Sequence, residues 1–232
     1  MKSTYLYSNQ LQLLGDPKII GFGNDSFYIK EISRDYANSI IKKNHYSKKV
    51  YAGSYIHLGL FVNSQVKGVL QYGYAMNPAS CDKVVAKTGK DQYLELNRMW
   101  LEDNIGEYPE SRAISYSCKF IRKEYPKIKW IQSFADERCG GYGVVYQACS
   151  FKYYGEHTST FWELDGEVYH NIQMTLSKKD HRYNKTVHHL QQNKDKAKKM
   201  ILRQFRYIKF FKERYSKHCL LNQEPYPKRK NI

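Results

Sequence analysis

The chain has 232 residues, enough to bury one sizeable core, and sets 38 Lys and Arg against 22 Asp and Glu for a formal charge of +16. That balance disfavours cationic partners and favours an anionic polymer or surface. No apolar run reaches the roughly 18 residues of a membrane-spanning helix. No basic-then-apolar leader opens the chain, so export is not indicated. Five cysteines without C-x-x-C spacing argue for reduced thiols rather than a disulfide framework or a structural zinc site.

Residues 1–25, broken by Gly15, Pro17, Gly21 and Gly23, read as an irregular arm. Residues 27–32 read as a strand. Ser33 then caps a helix reaching about Lys43, with Tyr36, Ile40 and Ile41 on its buried face. The helix ends at Asn44-His45-Tyr46 and a polar loop follows to Gly53. Residues 56–62 and 65–74 form a hairpin turning at Asn63-Ser64, and a linker with Pro78 and Gly89 leads to the strand 93–101. Ile114, Cys118 and Ile121 then recur at helical spacing before a second apolar strand, 129–135. A strand–helix–strand unit of this length implies a parallel pair with a crossover, whose helix N-terminus favours a phosphate. After a short helix before Phe151, closing strands fall at 151–154, 160–164 and 167–171, the last two joined by the hairpin turn Asp165-Gly166. The fold expected is α/β, with a mixed α+β sheet.

Composition changes at Ser177. Seventeen Lys and Arg lie between Lys178 and Lys230 against four acids, which puts +13 of the +16 in this tail. Ala197, Ile201, Phe205, Ile208 and Tyr215 fall near helical spacing, so residues 193–217 are expected to form an amphipathic basic helix. Its basic face (Lys198, Lys199, Arg203, Arg206, Lys209, Lys212) would follow the phosphates of double-stranded DNA; the plainer alternative is a solvated basic helix. Three parts result: an arm (1–26), a catalytic domain (27–176) and a basic helical extension (177–232).

Several polar residues stand in apolar surroundings. Arg98 interrupts a strand of Leu94, Leu96, Met99 and Trp100, where either a structural ion pair with Glu95 or Asp136 or a functional role accounts for it. Asp136 ends the second strand, at the edge where open α/β sheets keep their sites, although a helix N-cap explains it equally. His45 and Tyr46 sit at a helix end, and Tyr146 alone reads as a core aromatic.

In order, NHY (44–46), a hairpin, ELNRMW (95–100), SRAIS (111–115), SFAD (133–136) and YQACSF (146–151) resemble the Mom family of bacteriophage DNA modification proteins, over roughly residues 27–161. The resemblance implies a GNAT-like acyltransferase fold, a mixed sheet splayed at a β-bulge and flanked by helices. It also implies conversion of adenine in DNA to an N6-modified base (methylcarbamoyl or glycinamide type) that evades host restriction, in the cytoplasm of a bacterial host. Acetyl-CoA and a transition metal, iron, are the implied cofactors. Carried over by position, His45, Tyr46, Asp136 and Tyr146 would be catalytic, and Arg98, Ser111, Ala113 and Ile114 would handle substrate or cofactor. His45 and Asp136 have the ligand types iron accepts. Tyr51, Tyr55, Tyr142 and Tyr153 are candidates for stacking on an extruded base.

The sequence departs from GNAT enzymes at the pyrophosphate loop, since residues 102–115 offer only Gly106; Ser111, Ala113 and the start of the Ile114 helix would have to serve instead. Two other readings stand beside DNA modification. One is an N-acetyltransferase for a protein or small amine. The other is a non-catalytic DNA-binding protein on a GNAT scaffold, which the missing glycines favour and the retained polar set opposes.

Overall fold

A computed structural model describes residues 2–8, 17–139, 141–172, 174 and 184–228. The chain divides into two compact units. The first comprises Met1–Ser133, Val144–Tyr154 and Tyr207–Tyr226; the second comprises Phe134–Gly143, Gly155–Arg206 and Pro227–Ile232.

The first unit is built on a sheet in which β1 (Thr4–Tyr7), β2 (Ile19–Gly23), β3 (Phe27–Glu31), β4 (Ser54–Val62), β5 (Gln65–Gly73) and β6 (Tyr93–Leu101) follow one another, every neighbour antiparallel. Asn63 and Ser64 both take positive φ (47° and 65°), the left-handed pair that a tight β4–β5 hairpin requires. Helix α1 (Arg34–Asn44) starts where the Ser33 hydroxyl accepts the Tyr36 N–H at 3.3 Å, and buries Ala37 and Ile41 against Val69. Helix α2 (Pro109–Glu124) buries Ala113, Ile114, Ser117, Cys118, Phe120 and Ile121 and crosses over to β7 (Trp130–Asp136), which lies parallel to β6. A second cluster joins Cys81, Val85, Tyr93, Trp130 and Ile208.

Two expectations are corrected. The amino-terminal arm contains the pair β1–β2, with Ile19 and Phe22 buried. Gly21 is not a loop breaker: a Cβ there would come within 2.2 Å of the Ile29 carbonyl oxygen, so glycine permits the close approach of β2 to β3. Gly15 lies outside the described residues. The larger correction concerns the basic tail. Residues expected to be helical form β10 (Lys198–Phe210), which takes its place in the sheet between β7 and β8 (Lys152–Leu164). Phe205, Tyr207 and Ile208 are buried, whereas Ile201, expected on the docked stripe, is 63% exposed. Aromatic and β-branched residues in a short segment fit either period, and an available sheet edge decides for the strand.

In the second unit the ends of β7, β10 and β8 continue, and β9 (Glu167–His170) pairs with β8 through the Asp165-Gly166 turn, both residues at positive φ. Helix α4 (Asn184–Gln192) follows, its Val187 and Leu190 packed with Leu164 and Tyr169. Strand β10 contributes Lys198–Arg206 to the second unit and Tyr207–Phe210 to the first.

Deleting residues 177–232 should abolish cooperative folding rather than yield a core lacking only DNA affinity. The three buried β10 side chains alone represent about 5–9 kcal/mol of burial, comparable with a domain's whole stability. A sharp thermal transition of the truncated protein by circular dichroism would contradict this. A second expectation concerns buried His57, whose Nδ1 lies 3.1 Å from the Gln71 amide nitrogen. Burial, then the Arg34 charge, lowers its pKa, so the unfolded chain binds the proton more readily. Stability should fall as pH drops below about 6.5, and the slope of Tm against pH should flatten in His57→Gln.

Candidate active site

The sheet opens at β6 and β7. Their parallel pairing covers Tyr93, Leu94 and Glu95 against Trp130, Ile131 and Gln132 and then stops, although both strands continue. On its other side β6 pairs with β5 as Gln71↔Arg98 and then Tyr72↔Leu96, leaving Asn97 as the extra residue of a β-bulge. Such a bulge bends a strand and re-aims its side chains. At the neck, the Gln132 amide donates to Glu95 Oε2 at 2.8 Å. The Asn97 side chain accepts from Ser54 Oγ at 2.9 Å and donates to the Tyr74 carbonyl at 3.1 Å, pinning the bulge to the neighbouring strands. Strands that diverge in this way leave backbone groups of β6 without a β7 partner, a slot that suits an extended amide chain.

The loop after α1 is tied to β6 beside the bulge. His45 is the C-cap residue of α1, its N–H bonded to the Ile41 carbonyl at 3.0 Å, and it is 5% exposed. Ser47 N–H donates to His45 Nδ1 at 3.1 Å, and Ser47 Oγ lies 2.8 Å from the same nitrogen. A neutral His45 therefore carries its proton on Nε2. Tyr46 is 59% exposed with its ring centroid 4.3 Å from that of His45. Arg98 donates through Nε to the Lys49 carbonyl at 2.9 Å and lies 6.0 Å from the Tyr51 ring centre. The structure thus brings His45, Tyr46, Tyr51 and Arg98 into one neighbourhood.

Ser111 stands in the first turn of α2, its hydroxyl donating to the Tyr108 carbonyl at 3.1 Å, and its own carbonyl accepts the Cys149 thiol at 3.1 Å. That contact joins α2 to the segment following α3 (Val144–Ala148), which carries Tyr146. The Tyr146 ring packs 5.4 Å from Tyr207 and 5.8 Å from Phe151. Ala113 and Ile114 are wholly buried, so only their backbone is available to a cofactor. Burial pushes the Cys149 thiol up to about 11 and the Cys118 thiol up to about 12, which disqualifies both as thiolate nucleophiles at neutral pH.

Asp136 belongs to the second unit, at the end of β7. Arg138 Nε donates to its two oxygens at 3.0 and 2.9 Å, and the Arg138 backbone N–H adds a bond of 3.0 Å to Oδ1. The anticipated DNA-binding residues do not share one face, because they lie on and beside a strand. Arg203 is engaged by Glu137 at 2.8 Å and lies 3.6 Å from Glu156; Arg206 covers Phe134 at 5.0 Å; Lys209 donates to the Cys149 carbonyl. Lys198, Lys199 and Lys212 are exposed. Of the stacking candidates, Tyr55 is 42% exposed, Tyr142 packs edge-on to Phe205, and Tyr153 is 4% exposed, a core residue closed to a base.

The donor set does not fit the implied metal. His45 Nδ1 is an acceptor for Ser47, Arg138 clamps the Asp136 carboxylate, and among the described residues no group of three or more His, Cys, Asp or Glu is placed to hold an ion. For CoA the fit is divided. The β6–β7 slot suits its amide arm, but the loop to α2 and its first turn carry exposed Asp103, Glu107 and Glu110, with Glu102 paired to Lys67, which disfavours a diphosphate there. A Cβ on Gly106 would meet open space, so that glycine makes no close backbone cradle.

Sequence reasoning did not single out Asn97 or Gln132, nor Glu95 beyond a possible partner for Arg98. Its only available signal was their place inside the ELNR motif and the second strand. As a test of the Ile114 assignment, Ile114→Ala should lower unfolding free energy by about 2–5 kcal/mol, as loss of a buried side chain does. Unchanged stability with weakened cofactor binding would instead give the side chain a direct role.

Residues 26–228 match the model of the Mom protein family. The chain is 47% identical over 214 residues to the methylcarbamoylase mom of Escherichia phage Mu, covering 91% of this chain and 88% of that protein. Among solved structures it is similar to the ribosomal-protein-S5-alanine acetyltransferase of Vibrio fischeri, at 10% identity and TM-score 0.49 over 84% of this chain and 98% of that one. It is also similar to an N-acetyltransferase of Staphylococcus aureus Mu50, at 13% identity and TM-score 0.46 over 80% and 99%. With its ordered motifs and almost its whole length matched, the chain belongs to the Mom protein family.

Proposed function

We propose that this Mom-family transferase modifies the N6 amine of adenine in phage DNA within the host cytoplasm, adding a small methylcarbamoyl- or glycinamide-type group that blocks restriction. The observation that carries the reading is the 47% identity to a methylcarbamoylase over 91% of the chain. The +16 charge, with exposed Lys198, Lys199 and Lys212, suits a duplex substrate.

The adenine amine is a weak nucleophile, since its lone pair is delocalised into the ring, so a base must take its proton as the new bond forms. Asp136 is assigned that role. The Arg138 side chain and backbone N–H hold both oxygens and so fix the carboxylate plane. Tyr146, seated against Tyr207 and Phe151, is assigned the proton that the departing group needs. His45 and Tyr46, on the loop that Arg98 ties to β6, orient the reacting amine or donor. Acetyl-CoA would lay its amide arm along the β6–β7 slot and supply two carbons, its thiolate leaving as the protonated thiol; the nitrogen of a methylcarbamoyl or glycinamide group then requires an amine co-reactant and a two-electron oxidant.

Nucleosides from the DNA of cells expressing the protein should contain a heavier deoxyadenosine, measured by mass spectrometry. Asp136→Asn should lower its yield at least a hundredfold while DNA binding persists, and Tyr146→Phe should lower it less severely. Unmodified DNA beside an acetylated protein or polyamine would favour the amine acetyltransferase instead.

A further inference from the structure

The second unit holds a polar cluster around a buried amide that the assigned roles do not use. Gln204 Nε2 is buried and has no hydrogen-bond partner among the described residues. Its position follows from two contacts: the Arg203 N–H reaches Glu137 Oε2 at 2.8 Å, and the Arg206 guanidinium covers Phe134 at 5.0 Å. Residue numbers rise on one strand as they fall on the other, so β10 runs antiparallel to β7 and Gln204 lies beside Asp136. Alternation puts both on the face that carries Phe134 and Arg206.

On that face the Phe134 ring meets His157 at 5.4 Å, edge to face. Phe161 meets His170 at 4.8 Å and lies 4.3 Å beneath the Arg138 guanidinium. Burial, then the charges of His157 and Arg138, lowers the His170 pKa, which disfavours a proton on this imidazole. Beside the Asp136 carboxylate stands an amide whose donor end is unspent. A folded chain keeps a buried donor unpaired at a cost, and a ligand that satisfies it recovers that cost.

We propose that Gln204 reads the edge of the extruded adenine: its Nε2–H donates to a ring nitrogen while its Oε1 accepts from the exocyclic amine. The side-chain amide of glutamine matches this donor–acceptor pair on adenine. With Gln204 beside Asp136, the amine that Gln204 holds is presented to the carboxylate assigned as base. Gln204 is thus a specificity-determining residue, and this assignment rests on the DNA-adenine reading given above.

The test uses the full-length protein and free nucleosides, followed by saturation-transfer NMR. Deoxyadenosine should receive saturation and thymidine, which lacks an exocyclic amine, should not. Gln204→Leu should cut the deoxyadenosine response at least tenfold and lower the yield of modified deoxyadenosine in cellular DNA by a similar factor, with an unchanged thermal transition. If the leucine variant fails to fold, Gln204→Glu keeps the size and removes the donor, and should show the same loss. Equal deoxyadenosine binding by wild type and either folded variant would overturn the assignment, as would equal binding of thymidine. The reaction and the recognition site fail separately. Absent modification with intact deoxyadenosine binding sinks the proposed reaction, whereas full modification by both variants sinks the role of Gln204.

Discussion

The first unit depends on a parallel pairing that ends early. β6 and β7 share three residue pairs and then part, with Glu95 and Gln132 bridging the neck and Asn97 bulged on the far side of β6. Main-chain groups in a closed sheet are all used by neighbouring strands. Here the divergence leaves a stretch of β6 whose second edge is available to a ligand with amide groups. The hairpin before β6 and the crossover helix after it hold this opening in place. Arg98 in turn anchors the loop bearing His45 and Tyr46 to the opened strand.

Charge in this protein is spent differently from what its distribution along the chain suggests. The basic tail reads as an amphipathic basic helix, yet its central part is a sheet strand whose Arg203 and Arg206 are committed internally. Arg203 is held by Glu137 and Glu156, and Arg206 lies over Phe134. Those contacts fix the surroundings of Asp136 and Gln204 as much as they offer positive potential. The exposed lysines at either end of β10 remain for a phosphate backbone. Acidic residues gather instead on the loop before α2, which separates this chain chemically from a glycine-lined diphosphate cradle.

Asp136 and Arg98 show how a residue's role can be half visible. An ion pair was the plain structural reading of Arg98, and a helix N-cap that of Asp136. Asp136 is held by Arg138, two residues on. Arg98 instead donates to the Lys49 and Asn97 carbonyls, so it acts on backbone geometry. Periodicity identifies that a polar group is misplaced; it carries no information on which distant atom satisfies it.

The sequence by itself determined the elements whose signals are local. These are the Ser33 cap of α1, the two left-handed hairpin turns, the strand–helix–strand crossover, and the ordered motifs that place the chain in its family. Local chemistry suffices there because a cap or a tight turn is specified within a few residues. Only the tertiary structure decided that β1 and β2 extend the sheet, that residues 198–210 are a strand, and that Gln204 lies beside Asp136. Each of those depends on pairing between segments far apart in the chain. An apolar segment that fits both the helical and the extended period takes the one for which an open sheet edge supplies hydrogen bonds and burial.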